Sequence, residues 1–306
     1  MEIKVITKDK DSLEVGIIGA DENLLSPLVY QLLKDGYILM ISINGFGITP
    51  TIFPDRTSQV WKLPEKALDV LYKEGVCTIK WDFESEAEFM HLAQLKTLLD
   101  TYCTVINLDM PYLPYARQDK RIDNDSTFAL HTFAKLLNSL NFNQVTVLDA
   151  HNNFRANMIN GLVDGSPKRH ISYAQQTLDV DLLLFPDAGA KLRYEAYSLE
   201  MCWPKSVYAD KVREQATGLI KGITIVGKVK GKKLLIVDDI CDGGMTFILV
   251  AKEALAQGAK EVHLYVTHGI FSKGLAPLLE SGIKRIFTHK GEVNPVTSTE
   301  YSLHAH

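Results

Sequence analysis

The chain lacks the features that mark several broad protein classes. It holds 4 cysteines in 306 residues. Cys77, Cys103, Cys202 and Cys241 fall in no pair spacing, which argues against both a disulfide framework and a zinc site. No apolar run approaches the ~18 residues that cross a bilayer, and the longest, Tyr37–Ile43, has the length of a strand. The opening MEIKVITKDKDSLEV mixes charge with β-branched residues and has no apolar core of the kind a signal peptide carries. These absences predict a cytoplasmic protein with no membrane partner. Positive charge is not in excess either. Net charge is −4, and the longest basic stretch, KVKGKK at Lys228–Lys233, reads as a solvated turn, so bulk charge implies no nucleic-acid partner. Repeats, low-complexity tracts and long linkers are also missing.

What is present has the composition of a soluble globular protein, 46% hydrophobic and 23% charged, with length for two domains that each bury a core. Short apolar runs of strand length occur at Tyr37–Ile43, Cys77–Lys80, Val105–Met110, Val145–Asp149, Leu182–Phe185, Lys233–Val237 and Val262–Val266. Helical periodicities lie between them. Leu24, Leu25, Leu28, Val29, Leu32 and Leu33 share one face before Gly36. Phe133, Leu136, Leu137 and Leu140 repeat after Ser126, the expected cap, and Phe247, Val250, Ala251, Ala254 and Leu255 repeat up to Gly258, the expected C-terminal stop. Such alternation predicts an α/β fold with largely parallel sheets. The expected boundary follows Asp149, giving domains 1–150 and 151–306 that face each other across a cleft. The tail from Glu292 to His306 has no clear period and is left unplaced.

The strongest chemical signal is KKLLIVDDICDGGMTF, Lys232–Phe247. An apolar strand runs into Asp238 and Asp239, a glycine-containing turn follows, and a helix begins. Carboxylates at a strand end can accept sugar hydroxyls, while the turn's N–H groups and the helix N-terminus cradle a phosphate. Gly243 and Gly244 allow close backbone approach. A second segment, DMPYLPYARQDKR at Asp109–Arg121, gathers an aromatic-rich loop with Arg117, a bidentate donor suited to polyphosphate, and Gln118, which can bond a purine or a phosphate oxygen. Three more segments follow: VTVLDAHNNF (Val145–Phe154), LLLFPDAGAKLRY (Leu182–Tyr194) and ADKVREQ (Ala209–Gln215). In the last, Lys211 and Arg213 alternate, so an extended chain points both to one side.

The segment at Lys232–Phe247 resembles the phosphoribosyl pyrophosphate motif, two acids, two variable residues and Asp-Thr-Gly-Gly-Thr. Asp238, Asp239, Asp242, Gly244 and Thr246 match it, while Gly243 replaces the first Thr and Met245 replaces a small residue. PYARQDK is similar to the hallmark of ribose-phosphate pyrophosphokinases, and the three other segments follow in that family's order. The resemblance runs from about Asp109 to Ile286. It implies two similar phosphoribosyltransferase type I (Rossmann-like) domains and transfer of the diphosphate of ATP to the anomeric hydroxyl of ribose 5-phosphate. It implies Mg2+ near His151 and Asp187, and ATP on Arg117, Gln118, Asp119 and His151. The ribose 5-phosphate group falls to Asp187, Asp238, Asp239 and the Asp242–Thr246 loop, and Lys211 with Arg213 closes over the transferring phosphoryl group. The family's adenine-gripping Phe-Ser-Asp-Gly-Glu is represented only by FPDRTSQVW, which keeps Phe53 and Asp55 but has Arg56 and Thr57 for Gly and Glu. A homo-oligomer, dimer or hexamer, is the family expectation.

Three alternatives stay open on the residues. Gly243 and Met245 leave the loop with fewer donors and an apolar side chain, which suits an extended acceptor such as ADP-ribose. A phosphoribosyltransferase keeps Asp238 and Asp239 but needs neither PYARQDK nor a second α/β domain. A non-catalytic regulatory homologue keeps the fold but loses the loop cations, which are present here.

Overall fold

The computed structural model describes residues 3–9, 12–17, 41–60, 62–63, 65–213 and 220–293. The expected helix at Leu24–Leu33, the first part of the Tyr37–Ile43 run and the tail beyond residue 293 lie outside the described residues. So do the side chains of Lys211 and Arg213. The chain forms two compact units, Met1–Leu39 and Met40–His306. In the first, strands β1 (Ile3–Asp9) and β2 (Ser12–Ile17) pair antiparallel. Everything below concerns the second.

That unit begins with a hairpin of β3 (Ile41–Ile43) and β4 (Phe46–Ile48). Its two-residue turn is Asn44-Gly45, both at positive φ, the chemistry such a tight turn requires. A small hairpin, β5 (Thr51–Ile52) and β6 (Ser58–Gln59), precedes α1 (Glu65–Glu74), β7 (Val76–Trp81), α2 (Glu88–Leu99), β8 (Val105–Asp109) and α3 (Ala129–Ser139). Then come β9 (Gln144–Leu148), α4 (Asn153–Ala156) and β10 (Leu162–Gly165). The sheet order is β10-β9-β8-β7-β3-β4, with β7 to β10 mutually parallel. Strand β10 thus adds to the first sheet from beyond residue 150.

The second sheet is built from α5 (Lys168–Leu178), β11 (Leu182–Phe185), α6 (Ala188–Glu200), β12 (Ser206–Arg213) and β13 (Ile220–Val226). It continues with β14 (Lys233–Cys241), α7 (Met245–Ala256), β15 (Glu261–Gly269), α8 (Ala276–Glu280), β16 (Ile283–Thr288) and β17 (Gly291–Glu292). Its order is β13-β12-β11-β14-β15-β16-β17, parallel except at the two edges. Strand order reverses between β11 and β14, the point at which open α/β sheets leave a crevice at their carboxyl ends. Both sheets are largely parallel, as the alternation of apolar runs predicts.

Each expected strand within the described residues is found, within a few residues of its predicted ends. Gly258, at φ +86, accepts the left-handed turn that ends α7, as expected. Ser126 is different. The N-cap of α3 is Phe128, with no side-chain hydrogen bond. The Ser126 hydroxyl instead accepts from the Ile122 and Asp123 N–H groups, because the loop before it folds back within reach. Ser126 therefore closes a turn, not a helix.

Candidate active site

The carboxyl ends of β11 and β14 carry the acids that the sequence singles out. Asp187 and Asp239 each lie three residues past the paired Leu184 and Ile236. Asp187 is extended, at φ −163, and its Oδ1 accepts from the Ala190 N–H at 3.0 Å, so it caps α6. After Asp242, Gly244 adopts φ +75, and a Cβ there would stand 3.0 Å from Leu278. Glycine is therefore demanded at that position. It offers no side-chain cap to α7, so the first N–H groups of a 12-residue helix are left for an anion. Met245, at the first helical position, is 57% exposed.

Asp238 and Asp239 share a buried strand end and behave differently. Burial, and then the neighbouring carboxylate of Asp239, pushes Asp238 well above the usual carboxylate range. Burial works the same way on Asp239, but the His151 hydrogen bond and the Arg193 guanidinium outweigh it and hold this carboxyl far below its usual value. Asp239 is thus the charged member of the pair. The His151 Nδ1–H donates to Asp239 Oδ2 at 2.6 Å. Arg193 Nη1 lies 2.8 Å from the same oxygen, an ion pair off the line of a hydrogen bond, and its Nη2 donates to the His151 carbonyl at 2.6 Å.

This junction draws together both halves of the unit. Next to Arg193, the buried Tyr194 hydroxyl donates to Asp149 Oδ2 at 2.7 Å, and Thr267 donates to the same oxygen. Asp149, almost fully buried, is raised to about 6, chiefly by desolvation. His268 Nε2–H donates to the Leu148 carbonyl at 2.7 Å, and burial lowers its imidazole to about 4. The rings of Tyr112 and His289 stand 5.3 Å and 5.4 Å from the His268 ring. At the rim, Lys290 reaches Asp82 at 3.2 Å.

The PYARQDK loop also arrives here. Arg117 stands 3.6 Å from Asp242, and Asp119 accepts from the Asn152 amide at 2.7 Å. Asn152, next to His151, caps α4 by accepting from the Arg155 N–H. Gln118 is exposed and closes the turn through its backbone. The structure therefore brings Arg117, Asp119, His151, Asp239 and Asp242 into one linked cluster. Phe53 and Asp55 belong to the β5–β6 turn, where Asp55 Oδ1 accepts from the N–H and hydroxyl of Thr57 at 3.0 Å and 2.7 Å. Lys211 and Arg213 end β12, with a register shift in its pairing between Val212 and Arg213. Cys241 is buried and its thiol is raised to about 12 by desolvation, which leaves it inert.

Arg193, Tyr194, Asp149, Thr267 and His268 were not among the residues that the sequence pattern marked. An arginine or tyrosine on a helix reads as surface or core, and only the tertiary contact reveals more. Asp149 alone carried a signal, standing at the end of a strand two residues before His151.

Among the described residues, no three His, Cys, Asp or Glu side chains gather into a metal centre. Mg2+ takes oxygen ligands and commonly keeps water and substrate phosphates with one or two protein donors. His151 has one ring nitrogen committed to Asp239, and Asp187 lends Oδ1 to its helix. Asp187 can lend an oxygen to an ion carried in on nucleotide phosphates, while His151 has only its second ring nitrogen to offer, a less usual donor to Mg2+, and together they do not form a cage built by the protein.

A phosphoribosyl transferase domain model matches residues 196–300. The ribose-phosphate pyrophosphokinase of Cereibacter sphaeroides is 33% identical over 53% of this chain and 50% of its own length. That of Sulfolobus acidocaldarius is 27% identical over 88% of each chain. The first several curated relatives are matched over 50% to 61% of their length. The crystal structure of phosphoribosylpyrophosphate synthetase from Mycobacterium smegmatis shares the fold, with a TM-score of 0.66 at 20% identity over 86% of this chain and 85% of that one. Among the described residues, no helix is long and apolar enough to cross a membrane. With these segments in the order seen in the sequence and on this fold, the chain is similar to the ribose-phosphate pyrophosphokinases.

Proposed function

We propose that the chain catalyses attack of the anomeric hydroxyl of ribose 5-phosphate on the β-phosphorus of ATP, giving phosphoribosyl pyrophosphate and AMP. The observation that carries this reading is the meeting of the PYARQDK loop with the acid-pair loop, Arg117 beside Asp242 and Asp119 on Asn152 next to His151. A transfer between two bound substrates needs both sites within reach of one another. Phosphoryl transfer asks little covalent chemistry of a protein and much alignment and charge stabilisation.

In this reading Arg117, Gln118 and Asp119 hold ATP, and Phe53 and Asp55 serve adenine. His151 and Asp187 would hold Mg2+ arriving on the nucleotide, and its chemistry there would be neutralisation of phosphate charge. Asp238 accepts ribose hydroxyls, with Asp239 sharing its carboxylate between the sugar, His151 and Arg193. The loop from Asp242 to Thr246 (Gly243, Gly244 and Met245 between them) takes the terminal phosphate at the N-terminus of α7. Lys211 and Arg213 close over the transferring group. The working form is a cytoplasmic homo-oligomer of two α/β domains, the first of which extends past residue 150 to take in β10.

A second reading keeps the chemistry and extends the acceptor to ADP-ribose, giving ADP-ribose pyrophosphate. The observation that favours it is Met245, exposed at the mouth of the loop and able to line the exit for a phosphodiester. One experiment tests both readings: AMP release from ATP and Mg2+ with each acceptor at equal concentration, followed by mass analysis of the product. No AMP with either acceptor overturns the pyrophosphokinase reading. A diphosphorylated ADP-ribose product, with ribose 5-phosphate inert, overturns the first in favour of the second.

A further inference from the structure

We propose that Tyr194 is a positioning residue for this reaction, holding Arg193 and His151 in register with the acids of β14; the assignment rests on the reading of the site given above. Tyr194 is fully buried, and its ring stacks on Phe185 at the end of β11, with centroids 6.2 Å apart and planes 19° apart. Its hydroxyl reaches Asp149 while the adjacent Arg193 reaches the His151 carbonyl. Consecutive residues of α6 thus grip residues 149 and 151 of the opposite half.

The two attachments differ in kind. Arg193 sits on a long flexible stem and can follow a shifted partner. Tyrosine has two side-chain torsions and little freedom to lose, and this one is fixed by stacking. A helix tied at one point can roll about it, whereas two ties fix rotation as well as distance. Asp149 suits the role because its own backbone is pinned, at φ +53 with its N–H on the Gly165 carbonyl at 2.9 Å. His151 follows Asp149 by two residues, donates to the charged Asp239 and takes Arg193 on its carbonyl, so a displacement of α6 misaligns the imidazole and the guanidinium together. Misplacement of that size by about 1 Å can cost about a hundredfold in rate.

Tyr194→Phe removes the hydroxyl and keeps the stacked ring. Expected in AMP-release assays is a fall in kcat of about tenfold with KM for ATP changed by less than about twofold. Spectra of 15N-histidine-labelled protein should show a displaced His151 Nδ1 signal, a readout that needs no turnover. Tyr197→Leu, one turn away on α6, removes a ring 6.4 Å from that of Tyr194 but keeps the Tyr194 hydroxyl on Asp149; it should lower thermal stability and leave kcat and the His151 signal in place. Thr267→Val removes the other hydroxyl from Asp149 and should displace that signal less than Tyr194→Phe does. Equal effects of Tyr197→Leu and Tyr194→Phe, equal shifts in Thr267→Val, or an unmoved His151 signal would each overturn the assignment. If the wild-type chain releases no AMP, the functional reading fails, and the His151 spectrum alone decides whether Tyr194 positions it.

Discussion

The two sheets use the same kinds of strand and bury them differently. In β7, exposed and buried residues alternate from Val76 to Trp81, so one face carries the core. In β14, Leu234 to Val237 are all buried, and β15 is buried from Val262 to His268. A strand buried on both faces carries the acids near its end largely out of water. Acids at such an end cannot both stay charged, and Asp238 and Asp239 separate accordingly. The first sheet also keeps β7 to β10 in chain order, whereas the second reverses between β11 and β14. The crevice therefore belongs to the second sheet, and the first supplies the wall in which Leu148, Asp149 and His151 meet it.

Breaking that wall should have the largest effect. Arg193→Ala leaves Asp239, with its side chain 4% exposed, without its guanidinium. Loss of one partner of such a pair commonly costs about 3 kcal/mol or more. A fall in Tm of several degrees by calorimetry is expected, with AMP release reduced at least a hundredfold. Unchanged stability would mean that the two halves hold together without this contact.

Next in size is Lys211→Ala, which tests whether the second sheet supplies charge beyond its crevice. Turnover should fall by roughly tenfold to a thousandfold with ATP affinity far less changed. Wild-type turnover would remove the end of β12 from the mechanism. His151→Ala belongs beside it: the Mg2+ requirement should rise while the fold survives, as read by activity against ion concentration and by thermal melts.

Gly244→Ala is smaller and local to the crevice. The positive φ and the Leu278 contact should cost about 1–2 kcal/mol, read by urea unfolding, with KM for the acceptor raised more than KM for ATP. The opposite split would place the sugar phosphate elsewhere.

The smallest expected effect is on pH, because the wall holds groups of opposite sign. His268 titrates near 4 when folded, below its unfolded value, so its contribution is present above about pH 6.5 and is lost as pH falls toward 4. Burial lowers His170, His263 and His289 in the same sense. Asp149, raised to about 6, does the reverse: its contribution is present at low pH and is lost as pH rises through 6. Asp238, raised well above the usual carboxylate range, acts in the same direction as Asp149, so the test is the change in slope between pH 4 and 7 relative to wild type. His268→Gln should make the slope of stability against pH less positive, and Asp149→Asn should make it more positive. Slopes unchanged in both variants would show that neither group titrates with folding in this range.

Much of this was legible in the residues. Apolar runs such as Leu182–Phe185 and Lys233–Val237 mark strands because only a few residues of unbroken apolar chain suit a covered sheet. Gly244 and Gly258 mark turns because their backbone angles exclude a side chain without strain. Beyond the short hairpin strands and β17, strands β10, β12, β13 and β16 are not marked by these runs. LVDG and SVYADKVR carry charge at positions that edge and outer strands tolerate. Ser126 was misread because a hydroxyl before a helical period serves a turn as readily as a helix, and local sequence does not choose.

What the sequence by itself determined is the order of segments: which strands end in acids, where a glycine turn precedes a helix, and hence which family the chain resembles. Only the tertiary structure decided which acid of the pair is charged and which residues of the first half face it. Tyr194 and Asp149 are separated by 45 residues, and Thr267 and Asp149 by 118. Periodicity reports which face of an element is apolar. It is silent on what the opposite wall presents, and burial and partner charge, the two causes of the Asp238–Asp239 split, come from that wall.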